Sequence, residues 1–84
     1  MTKQAIIDRL TTAFEVGGTY AFEKALHRIS QRYSIYTLSD YPFDRFEVVR
    51  FSLGEGDRII TTTLLQTDSL EESINCFADC ASSI

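Results

Sequence analysis

The stretch from residue 44 to residue 66 constrains the fold most. Two runs rich in β-branched and aromatic residues, 44–53 and 58–66, flank Gly54-Glu55-Gly56-Asp57. Runs of this kind joined by a glycine-containing four-residue loop fold as a β-hairpin. An isolated hairpin is marginal in water, so the remaining chain must cover one of its faces. Pairing Leu53 with Arg58 sets Phe51 opposite Ile60 and Val49 opposite Thr62. One face then carries Val49, Phe51, Leu53, Ile60 and Leu64 and is the more apolar. The other carries Phe46, Val48, Arg50, Ser52, Ile59, Thr61, Thr63 and Leu65 and is mixed. One face is expected to pack on helices and the second to stay partly exposed, as an interface would.

The flanking segments supply the helices. Ile6, Leu10, Ala13 and Phe14 recur at helical spacing within 2–16, with Thr2 as the N-cap. Gly17-Gly18 ends that helix, because glycine accepts the left-handed C-terminal conformation. Thr19 is placed to cap a second helix over 20–32, whose stripe is Phe22, Ala25, Leu26, Ile29 and Tyr33. The short link makes the two an antiparallel or steeply angled pair. Ser34-Ile35-Tyr36-Thr37-Leu38-Ser39 reads as a further strand, and Asp40-Tyr41-Pro42 as a turn around the only proline. A third helix opens after Asp68 or Ser69, with Glu71 or Glu72 closing a capping box. Leu70, Ile74, Phe77 and Ala81 form its buried stripe. The expected fold is α+β, in the order α-α-β-β-β-α. It has a three-stranded antiparallel sheet with helices mainly on one face, over 1–84 as a single compact domain.

The chain has 84 residues, so its core is thin, and a partner subunit would add usefully to stability. No apolar run approaches the roughly 20 residues of a membrane span. The N-terminal segment meets charge too early for a signal peptide, and the expected location is cytoplasmic. Cys76 and Cys80 lie one helical turn apart with near-parallel Cβ directions, which suits reduced, partly buried thiols better than a disulfide.

Charge is uneven. Residues 1–32 hold five basic and three acidic side chains, whereas 33–84 hold three and nine, and the last 26 residues have no Lys or Arg. An acidic chain repels phosphate, so direct nucleic-acid binding is disfavoured. Lys24, Arg28 and Arg32 form its one basic row.

Catalytic parts are scarce. His27 is the single histidine, and only Glu23 is in helical reach of it; a general base also needs a nucleophile nearby. One C-x₃-C pair with one histidine falls short of a zinc site. The two glycines of the 54–57 loop lack the lysine and the strand-to-helix setting of a phosphate loop. No enzyme activity, cofactor or metal is expected. Tyr33, Tyr36, Tyr41 and Phe43 cluster around the first strand. Phe43 and Tyr33 look core-like, and Tyr36 and Tyr41 exposed. Tyrosine offers large contact area with a polar tip.

The expected function is a non-enzymatic protein-binding module, an inhibitor or regulator. Tyr36, Tyr41, Asp40, Asp44, Glu47, Glu55 and Asp57 would meet a larger partner with a basic surface. One concrete form occludes a nucleic-acid-handling enzyme, as small phage-encoded inhibitors of bacterial defence systems do; that analogy rests on size and acidity. The alternative is a structural, self-associating subunit, a homodimer.

Overall fold

A computed structural model describes residues 1–39 and 44–82. The elements run α1 (Lys3–Ile29), β1 (Tyr33–Thr37), β2 (Phe46–Leu53), a short 3-10 turn (Glu55–Asp57), β3 (Ile59–Thr67) and α2 (Leu70–Ser82). The strands form one antiparallel sheet in the order β1-β2-β3. The expected α+β meander is therefore present, with its helices on one face.

The helical half departs from the expected pair in one respect. One helical span runs from Lys3 to Ile29 with no linker, but Gly18 leaves helical space at φ 67°, ψ −154° and divides it into two arms. That region is essentially reserved for glycine. The chain bends there, and Phe14 and Phe22 meet edge-on at 5.4 Å between ring centroids. Eight residues of straight helix would hold them about 12 Å apart. Gly17 is also needed, because a Cβ there would collide with the Ala21 side chain. The helix starts as expected, Thr2 Oγ1 accepting from the Ala5 N–H at 3.1 Å. It stops at Ile29, three residues short of the expected end. The Ser30 hydroxyl accepts from the N–H groups of Arg32 and Tyr33, turning the chain into β1.

At α2, Ser69 Oγ accepts from the Glu72 N–H at 3.2 Å. The Glu72 carboxylate closes the box on a residue just before the cap, accepting from Thr67 Oγ1 at 3.0 Å. Lys3 at the start of α1 meets Asp79 near the end of α2 at 2.7 Å. That contact places the first arm of α1 antiparallel to α2. Ile6, Leu10, Phe22 and Leu26 of α1 join Ile74, Phe77 and Ala78 of α2 over Ile35, Phe46 and Val48 of the sheet. Each such side chain removed from water contributes roughly 1.5–3 kcal/mol.

The hairpin register is one residue away from the expected one. Leu53 pairs with Ile59, Phe51 with Thr61 and Val49 with Thr63. The cause is the turn. Gly56 and Asp57 both take positive φ, at 69° and 59°. The resulting 3-10 turn draws Arg58 into the loop, closed by the Gly54 N–H donating to the Arg58 carbonyl at 2.7 Å. A one-residue slip moves a strand's side chains to the opposite face. Ile59 thus shares a face with Leu53, and Ile60 shares one with Ser52. A bulge between Val48 and Val49 then leaves Leu64 without an opposite residue.

The choice of covered face also differs from the sequence expectation. The helices cover the mixed face at Phe46 and Val48 and leave Val49, Phe51 and Leu53 on the other side. Three large side chains at one end of the mixed face suffice as a lid seat: Ile35, Phe46 and Val48 are all at most 2% exposed. Polar Arg50 and Ser52 fall beyond the helices, at the far end of β2, and are exposed.

Candidate binding surface

The uncovered face of the sheet is built from the alternate residues of each strand. β1 contributes Ser34 and Tyr36; β2 contributes Glu47, Val49, Phe51 and Leu53; β3 contributes Ile59, Thr61 and Thr63. Leu53 is 75% exposed, Ile59 71% and Tyr36 40%. Tyr36 and Phe51 lean toward each other along the sheet, with ring centroids 6.3 Å apart. Val49 lies midway between them in the register and is fully buried without joining the helix-side core. The two rings therefore make a small raised apolar pad rather than a loose fringe.

Acidic groups flank this pad, and Arg32 and Arg50 border it on the side where β1 begins. Glu47 is directly opposite Tyr36 and accepts from the Gln66 amide at 2.7 Å. Glu55 and Asp57 sit at the hairpin tip, just past the Leu53–Ile59 pair. Asp44 lies before β2 at the other end. There its carboxylate accepts from the Ser39 hydroxyl and its N–H donates to the same oxygen, both at 3.1 Å. Of the residues expected to meet a partner, Tyr36 and Glu47 are thus adjacent, Glu55 and Asp57 bracket one end, and Asp44 the other. Asp40 and Tyr41, together with the Phe43 placed in the core, lie outside the described residues. Tyr33 is half-buried against the core. Sequence reasoning missed Phe51 and Leu53 as residues of the open face, and set Ile59 on the face opposite theirs. The signal that could have found them is the pair of adjacent residues Gly56-Asp57, both of which tolerate positive φ and so lengthen the loop.

An open cleft of about 1070 Å³ lies at the end of the sheet where β1 begins, and the pad residues Tyr36, Phe51, Leu53 and Ile59 line it too. Glu23, His27, Arg32, Tyr33, Arg50 and Leu53 are among its walls. Neither cysteine lines it, so the imidazole and the thiols do not form one centre. Cys76 and Cys80 are half-buried on α2 and form no disulfide. Burial, then the neighbouring Cys80 and the acids Asp79 and Glu72, push the Cys76 thiol above its ordinary range. Such a thiol is a poor nucleophile at neutral pH. Among the described residues, no three His, Cys, Asp or Glu side chains gather as a metal-ligand set. Among the same residues, no helix is long and apolar enough to cross a membrane. Of the basic row, Lys24 and Arg28 lie on the second arm of α1 and Arg32 beyond its end, with Lys24 stacked over the Tyr20 ring at 4.7 Å.

Comparison with protein-family models, curated proteins and solved structures finds no match to this chain.

Proposed function

We propose that this protein is a non-enzymatic, cytoplasmic binding module that docks its uncovered sheet face on a larger protein. The observation that carries this reading is the apolar pad of Tyr36, Phe51, Leu53 and Ile59 with acids flanking it. An apolar centre with a charged rim has the layout of a specific interface. Asp44, Glu47, Glu55 and Asp57 outnumber Arg32 and Arg50 around that pad, so the partner presents mainly Lys and Arg around an apolar recess. A regulator that occludes a basic, nucleic-acid-handling surface is the concrete form. It is supported by the chain's net charge of −4 and by its small size.

The test is quantitative capture of partners by immobilised protein at rising salt. The reading expects a discrete partner whose retention falls as salt screens the rim. It also expects loss of that partner in a Tyr36→Ala/Leu53→Ser double variant that stays folded by circular dichroism. Retention unchanged by both salt and the double variant would rule the surface out.

A further inference from the structure

We propose that two copies of this chain join through the outer edge of β3, antiparallel, about a two-fold axis at Thr61. The proposal uses the edge of the sheet and does not rest on the docking role of its face.

Among the described residues, β3 is paired on one side only, by β2. From Ile59 to Thr67 it holds no charged residue and no proline. Exposed edges are normally blunted by lysine, proline, shortness or a bulge, because their free N–H and C=O groups are a template for another strand. The only such device here is the bulge at Leu64, which leaves residues 59–63 regular and exposed over most of their length.

Two backbone hydrogen bonds fix which groups point outward. The Phe51 N–H donates to the Arg32 carbonyl at 2.7 Å. Phe51 therefore turns its backbone toward the β1 side, and its partner Thr61 belongs to a pair not bonded to each other. The Gly54 N–H bond to the Arg58 carbonyl sets the same phase from the hairpin end. Ile60 and Thr62 then point inward to Ser52 and Arg50, whereas Ile59, Thr61 and Thr63 point their N–H and C=O groups away from the sheet. Ile59, Thr61 and Thr63 are all exposed.

This set is self-complementary. An antiparallel two-fold axis at Thr61 sets Thr61 against its own copy and Ile59 against the copy's Thr63, twice. Every outward donor meets an acceptor. On the helix side, Ile60 comes opposite the copy's Thr62. β-Branched pairs of this kind stabilise cross-strand contacts. The chain is acidic, yet the nearest charges, Arg58 and Asp68, fall outside the paired segment, so no like charges meet across it. A strand from another protein would need matching polarity and phase, whereas a second copy has both by symmetry, and the contact closes after two subunits. Because the axis is perpendicular to the sheet, both helical layers lie on one side. The two uncovered faces become one six-stranded surface.

The test is the mass of the full chain by sedimentation equilibrium across micromolar to millimolar concentration, against 9.5 kDa for one copy. The wild type is expected to reach twice that mass. Its Ile59, Thr61 and Thr63 amides should become slower to exchange as concentration rises. Thr61→Pro removes one outward N–H and no bond to β2, an arrangement edge strands tolerate. Thr61→Lys sets two ammonium groups face to face at the axis. Each variant should weaken dimerisation at least about tenfold and keep the wild-type circular dichroism. If proline unfolds the chain, the lysine variant decides. A wild type monomeric throughout, or a dimer of unchanged strength in either folded variant, overturns the proposal. Tyr36→Ala/Leu53→Ser should leave the dimer mass intact, so loss of face docking and loss of edge pairing are read separately.

Discussion

The two faces of the sheet use similar side chains to different ends. On the helix side, Ile35, Phe46 and Val48 are sealed under both arms of α1 and under α2. On the other, Phe51, Leu53 and Ile59 have comparable apolar area and no helix above them. Apolar content alone does not decide which face is core. What decides it is the place on the strand. Phe46 and Val48 lie at the end of β2 where β1, β3 and the helices all converge. Leu53 lies at the end that projects beyond β1. A residue projecting past its neighbours has nothing to be packed against, whatever its hydrophobicity.

The largest test of this contrast is Phe46→Ala. Loss of a sealed aromatic from the helix side should cost about 3–5 kcal/mol, read as a lowered denaturant midpoint. For a chain whose whole stability is on the order of 4–12 kcal/mol, that loss removes much of the folded population. Next is Gly18→Ala. Alanine at φ 67°, ψ −154° is strained by about 1–3 kcal/mol, and the bend that brings the second arm of α1 over Ile35 should loosen. Thermal melts should fall accordingly, and a melt unchanged by Gly18→Ala would mean the bend is not needed to cover that face.

Alkaline pH gives an intermediate effect, through the helical layer. The Cys76 thiol is raised above its ordinary value of 9.0, chiefly by burial. A raised thiol favours the folded state's protonated form, so its contribution is complete below about pH 9 and is lost as pH climbs through the folded value. The denaturant midpoint should drop across that range, and Cys76→Ser should flatten the drop. On the open face, Leu53→Ser should change stability by no more than about 0.5 kcal/mol. A loss as large as that of Phe46→Ala would show the face to be covered after all. Smallest is Lys3→Ala. Its ion pair with Asp79 is substantially exposed on both sides, and such pairs are worth roughly 0–1 kcal/mol, less in salt.

The fold was largely legible in the sequence because its period changes were clean. Helical spacing in 2–32 and 70–81 and the β-branched runs between them specify the elements and their order. Thr2 and Ser69 were readable as caps for the same reason, since hydroxyls before an apolar stripe have a local role. The register was not legible. It depends on whether Gly56-Asp57 folds as a four-residue loop or draws in Arg58, a difference of one residue with no signature in hydrophobicity. The face assignment failed with it, because alternation says which residues share a side and not which side the helices choose. Tyr36 was readable as an exposed residue, but its place opposite Glu47 was not. Phe51 and Leu53 were not readable as exposed, because an aromatic and an aliphatic residue in a strand look the same whether buried or bare.

Hydroxyl-radical footprinting of the isolated protein tests the central asymmetry most directly. Side-chain oxidation should be fast at Tyr36, Leu53 and Ile59 and slow at Phe46, Ile35 and Phe77, at any protein concentration. Equal protection of the two groups would contradict the account, since it would mean that the sheet has no bare face to offer.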